Sequence, residues 1–161
     1  MLHRLSAPRA STQENKRWHL QLRSARMTST LSKKSSKTIK KGFLLFAFVA
    51  VSTIALLYGI SPSRFARTFL DLAEIPIDMA HVFRAMTGLY LALGLSWLFA
   101  AFNDQYRNAA VLTCALFAGG LLAGRLVSLM IDGRPSPILL IYVVIELTLV
   151  PVAIWIFRLP R

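Results

Sequence analysis

Residues 43–60 read FLLFAFVAVSTIALLYGI and carry no charge. A helix rises 1.5 Å per residue and the hydrocarbon core of a bilayer is about 30 Å thick, so roughly 20 such residues make one crossing. Three further runs meet that length: about 80–102, broken near its start by His81 and Arg84, about 109–131, with Arg125 inside, and about 138–157, with Glu146 inside. The runs are too long for barrel strands and lack their alternation.

The segments between the runs agree with four crossings. Ser61-Pro62 stops the first run, Asn103 to Asn108 form a short polar turn, and Asp132-Gly133-Arg134-Pro135-Ser136-Pro137 form a second turn rich in helix breakers. Short turns join antiparallel neighbours, so the expected fold is an all-α membrane protein, an up-down bundle of four transmembrane helices. In the longest connection, 61–79, Phe65, Phe69 and Leu72 recur at helical spacing opposite Arg64, Arg67 and Asp71, which predicts a short amphipathic helix lying in the interface. Asp78 is a candidate N-cap for the second span.

Charge is distributed unevenly. Of 19 Lys and Arg, eleven precede residue 42, where Glu14 is the single acid. The expected organisation is a basic tail over residues 1–41, too polar to fold alone, followed by a membrane domain over 42–161. Trp18, Leu20 and Leu22 with Arg17, Arg23 and Arg26 predict a turn or two of helix on anionic lipid; nucleic acid is the minor reading of the same charge. The Arg- and Ser-rich start also has the character of a transit peptide, and Met27 offers a second start that leaves a shorter basic flank. Four crossings place the tail, Arg107, Arg158 and Arg161 on one side, against Arg64, Arg67 and Arg134 on the other. Positive residues collect on the cytoplasmic side, so both termini are expected there, in a multi-pass protein of the cell inner membrane.

Ionisable residues within spans mark candidate sites, because a charge at the centre of a membrane helix costs about 3 kcal/mol even on insertion scales. Glu146 lies about 12 Å past Ile138 along its helix, and Tyr142 sits one turn earlier on the same face. Arg125 lies about 7.5 Å before Met130, and its side chain and that of Glu146 tilt toward each other on antiparallel neighbours. An Arg125–Glu146 ion pair is therefore expected. Ser128 and Asp132 share the face of Arg125 and extend it to the surface. Arg84, with His81 one turn before it, lies toward the same outer half. Together these seven residues outline either a polar cavity or a structural clip between two helices; the clip is the simpler reading, since buried ion pairs fix register without chemistry. Small residues form a second pattern, with Gly119, Gly120 and Gly124 on the third span and Gly88 on the second, as at helix-packing faces.

At these positions the chain resembles the bacterial family of small membrane proteins known as domain of unknown function 4345. Tyr58-Gly59 with Pro62, Arg84-Ala85 with Gly88 and Tyr90, Gly119-Gly120, Gly124-Arg125 with Ser128, Asp132-Gly133 with Pro135, and Glu146 carry the resemblance in order. It covers about residues 43–157 and excludes the tail. It implies a four-helix inner-membrane protein and adds no activity.

No nucleotide loop, HExxH or nucleophile elbow occurs, Cys114 is the sole cysteine, and His3, His19 and His81 are scattered. No catalytic role, metal or cofactor is therefore expected. Three functions remain: a structural or accessory membrane protein, a small transporter or channel subunit, and a lipid-binding protein. A membrane-protein partner or a second copy suits the first two. A dry shell around Arg125–Glu146 would favour the first, a solvent-connected cavity the second, and a lateral groove toward lipid the third.

Overall fold

The computed structural model describes residues 12–160. Five helices follow in order: α1 (Thr12–Gly59), α2 (Pro62–Phe69), α3 (Ile77–Phe102), α4 (Arg107–Ile131) and α5 (Pro137–Arg158). Of these, α1, α3, α4 and α5 are long and apolar enough to cross a membrane. Helices cover all four expected runs: α3, α4 and α5 extend past theirs by one to three residues, whereas α1 begins 31 residues before its run and ends at Gly59.

The chain divides after Ser35 into two units. In the first, the structure differs from the expected unfolded tail, because α1 is helical from Thr12. No proline and no glycine before Gly42 interrupts this stretch, and its Leu, Arg, Lys, Gln and Ala favour helix. Trp18, Leu20, Leu22, Met27 and Leu31 are nonetheless exposed, so this part of the helix buries little. Readings that fall on residues 1–11, His3 among them, lie outside the described residues.

The second unit begins at Ser36 rather than residue 42. The shift has a local cause: Ser36 and Lys40 are buried. Lys40 Nζ donates to Asn108 Oδ1 at the start of α4 and to Leu159 O just past α5, both at 2.8 Å. Lys37 pairs with Asp104, and Arg107 pairs with the same carboxylate. Arg107 also donates from Nε and Nη2 to Ala101 O, placing a cation at the C-terminal end of α3, where the helix dipole favours it.

Breakers set the remaining boundaries. Pro62 starts α2 in the position where its missing N–H costs nothing. Asp71 has φ +58° and Leu72 N–H returns to Ala66 O at 3.2 Å, closing α2 before Leu72 can join it. Phe65 is buried against Tyr58, ring centroids 4.6 Å apart, whereas Phe69 and Leu72 stay exposed. The N-cap of α3 is Pro76, and Asp78 lies within the first turn instead of capping it. Gly133, at φ +90°, makes the turn into α5.

The core is built from α1, α3, α4 and α5, with Leu44, Trp97, Val111 and Cys114 fully enclosed. Trp97 Nε1 donates to Thr113 Oγ1 at 3.1 Å, so the buried indole keeps its hydrogen bond. Close backbone approach occurs at Gly59 and Gly94. A Cβ at Gly59 would stand 2.5 Å from Thr87 Cγ2, and one at Gly94 would stand 2.9 Å from Val51 Cγ1. A Cβ at Gly88, Gly119, Gly120 or Gly124 would meet nothing within 4 Å, so the expected packing glycines are not the points of contact.

Candidate functional site

Arg125 and Glu146 meet as the spacing predicts. Arg125 Nε donates to both carboxylate oxygens of Glu146 at 3.1 Å, joining α4 to α5. The contact runs through one nitrogen, so the terminal Nη1–Nη2 edge of the guanidinium is not engaged by the carboxylate. The Tyr142 ring lies beneath the guanidinium, 5.3 Å from ring centroid to Cζ, a cation–π arrangement.

The pair forms one end of a cavity of about 140 Å³. Tyr58 of α1 and Tyr90 of α3 complete the polar end with Tyr142. The remainder is apolar: Val51 and Ile54 on α1, Trp97 on α3, Cys114, Phe117 and Ala118 on α4, and Leu149 on α5. Phe46 of α1 and Ile145 of α5 line the same cavity while being 64% and 51% exposed, so its rim reaches the outer apolar surface. Edge-to-face contacts of Phe117 with Tyr90 at 5.1 Å and with Trp97 at 5.6 Å hold the wall between the polar end and the apolar end.

A second, wider cavity of about 440 Å³ adjoins the first. It shares Tyr58, Tyr90, Leu121 and Arg125 with the first and adds Phe65, Phe83, Met86, Gly120 and Gly124. Here the small residues of α4 have an observable consequence: they leave space open instead of admitting a neighbouring helix.

The other sequence candidates fall elsewhere. Ser128 Oγ donates to Asp132 Oδ2 at 2.8 Å, as their four-residue spacing allows, but both are exposed and line neither cavity. Arg84 and His81 are also exposed and line neither. The inward face of α3 is Phe83, Met86, Tyr90 and Trp97, and Arg84 and His81 are rotated off it. Tyr58 and Tyr90 were not singled out as site residues, although each follows an inward position by whole helical turns. Lys40 and Asn108 carried no signal, one being hidden in a basic run and the other in a polar turn. Among the described residues no group of three His, Cys, Asp or Glu side chains is placed to hold a metal.

Among the described residues there are helices and no strand, and four helices long and apolar enough to cross a membrane, with a charge pair at one end of an apolar cavity among them, point to a membrane protein. The chain belongs to the family described as a domain of unknown function (DUF4345), which matches residues 39–157. That match takes in Lys40, Arg125 and Glu146. No curated protein and no solved structure matches the chain.

Proposed function

We propose that this protein binds a membrane-derived amphiphile, with the tail in the apolar cavity and the head at Arg125, Glu146 and the three tyrosines. The observation that carries the reading is the shape of the site: a charge pair and three tyrosines stand at one end of a mostly apolar cavity whose rim, at Phe46 and Ile145, opens on the exposed apolar surface. A purely structural clip needs no space beside it, and a water-filled path would be lined mainly by polar groups, whereas this cavity is lined mainly by apolar ones. Arg125–Glu146 still joins α4 to α5, so the same pair serves packing and recognition. The proposed role is binding, without catalysis.

In this reading the helices form an up-down bundle in the cell inner membrane with both termini cytoplasmic, and α2 rests in the outer interface. Arg125 and Glu146 then lie in the outer half of the bilayer, open to lipid from the side.

Native mass spectrometry of the protein released from its own membrane tests this. The expected result is a bound lipid-like mass that is lost when Ala50→Phe narrows the rim between α1 and α5. A wild-type protein free of such a mass, or a mass that Ala50→Phe leaves in place, would overturn it.

A further inference from the structure

The reading above leaves the kind of amphiphile open, and the cavity itself narrows it. Its wall on α4 runs from Cys114 to Arg125, about 16 Å at 1.5 Å per residue. A volume of about 140 Å³ drawn out over that length is narrow. A single extended chain suits such a slot, and the wider cavity beside it shares only Leu121 and the polar end at Tyr58, Tyr90 and Arg125.

The head is constrained by charge. Arg125 and Glu146 are the charged residues lining the cavity, and they cancel. A head with a net charge would be a third, uncompensated charge in a medium that solvates it poorly, which is strongly unfavourable. Hydrogen bonding supplies the complementary half of the argument. Glu146 takes Nε of Arg125, which leaves the Nη1 and Nη2 groups to donate to Tyr58 and to a ligand, and each carboxylate oxygen retains a further lone pair to accept. A group that both accepts and donates satisfies the two sides at once without adding charge.

Resting on the amphiphile-binding reading, we infer that the ligand is a single-chain amphiphile with a small uncharged head of the alcohol or amide type. Its head bridges the guanidinium edge and the carboxylate, and its chain lies along Val51, Ile54 and Phe117 toward Trp97.

Trp97 provides the readout. It is 2% exposed, so bilayer lipid outside the protein does not touch it, whereas a chain in the cavity does. The two other tryptophans, Trp18 and Trp155, are exposed. In the full chain carrying Trp18→Phe and Trp155→Phe, reconstituted in phosphatidylcholine, Trp97 fluorescence is titrated with three probes. All three share an 11-bromoundecyl chain, and their heads are an alcohol, a sulfate and a trimethylammonium. The expected result is quenching by the alcohol at a membrane concentration at least tenfold below that needed for either ion. Equal or better quenching by an ion would overturn the uncharged head and leave amphiphile binding standing. Failure of all three probes, with Trp155 quenched by each of them in a Trp18→Phe, Trp97→Phe companion, would overturn amphiphile binding itself. A charge imbalance gives a second check: Glu146→Gln is expected to shift preference toward the sulfate and Arg125→Gln toward the ammonium. Because either variant could fail to fold, the three-probe series on the Trp97 protein decides the question by itself.

Discussion

Thr87 shows how tightly one residue can fix the approach of two helices. Its hydroxyl lies 3.1 Å from Ala55 O on α1 and 2.8 Å from Phe83 O on its own helix, so the side chain has little freedom to turn. Gly59→Ala drives a methyl into that side chain, and overpacking of this kind costs about 1–3 kcal/mol. The expected outcome is a clear fall in thermal stability in detergent for Gly59→Ala, with Gly120→Ala and Gly124→Ala near wild type. The sequence pattern pointed at the second pair because GxxxG describes one helix alone. Close approach also depends on what the facing helix presents, and opposite Gly120 and Gly124 it presents open space. Arg125 and Glu146, in contrast, were legible from depth and tilt, since a charge within a span must find a partner and few were available. Removing one member of a buried pair leaves the other uncompensated, at about 3 kcal/mol, so Glu146→Gln and Arg125→Gln are each expected to destabilise strongly. The double variant is expected to recover part of the loss, and the cycle measured by thermal unfolding in detergent gives their coupling. Additive losses would show that the pair contributes nothing as a pair.

At the scale of elements, the bounds of α3, α4 and α5 and the end of α1 were readable within a few residues because length and hydropathy are properties of each segment alone. The start of the folded unit was not, because it depends on contacts between segments distant in sequence. Lys40 reads as one more tail cation until Asn108 and Leu159 O are brought to it. The turn between α3 and α4 is held in the same way. Lys37 and then Arg107 hydrogen-bond the Asp104 carboxylate and hold its pKa below the ordinary carboxylate value. A pKa depressed in the folded state stabilises fully above the unfolded value and is lost as pH falls through the folded one. Stability of the wild type in detergent is therefore expected to decline as pH is lowered through and below about 4, the ordinary value for an aspartate. Asp104→Asn, which has no proton to take up, is expected to lose that part of the decline while starting from a lower plateau. Identical pH profiles for the two proteins would remove Asp104 as the source.

For the molecule as a whole, the distribution of cations is the feature with the longest reach. If the chain crosses four times, as proposed, the sequence order puts the cations of the first 41 residues, Arg107, Arg158 and Arg161 on one side, against Arg64, Arg67 and Arg134 with Asp71, Glu74, Asp78 and Asp132 on the other. Translocating the first group would work against the membrane potential and against the attraction of anionic lipid, so this side is expected to stay cytoplasmic. Cys114 is the single cysteine and is buried, so its replacement by serine gives a clean background for labelling. Cysteines placed at Ser63 and Glu74, both exposed, are expected to react with a membrane-impermeant maleimide in intact cells. Cysteines at Ser29 and Gln105, also exposed, are expected to react only after the membrane is opened. The reverse pattern would invert the protein and move Arg125 and Glu146 to the cytoplasmic half of the bilayer. Labelling of all four sites from outside would mean that the number of crossings differs from four. The placement of the amphiphile site depends on this result, because the orientation decides which leaflet supplies its ligand.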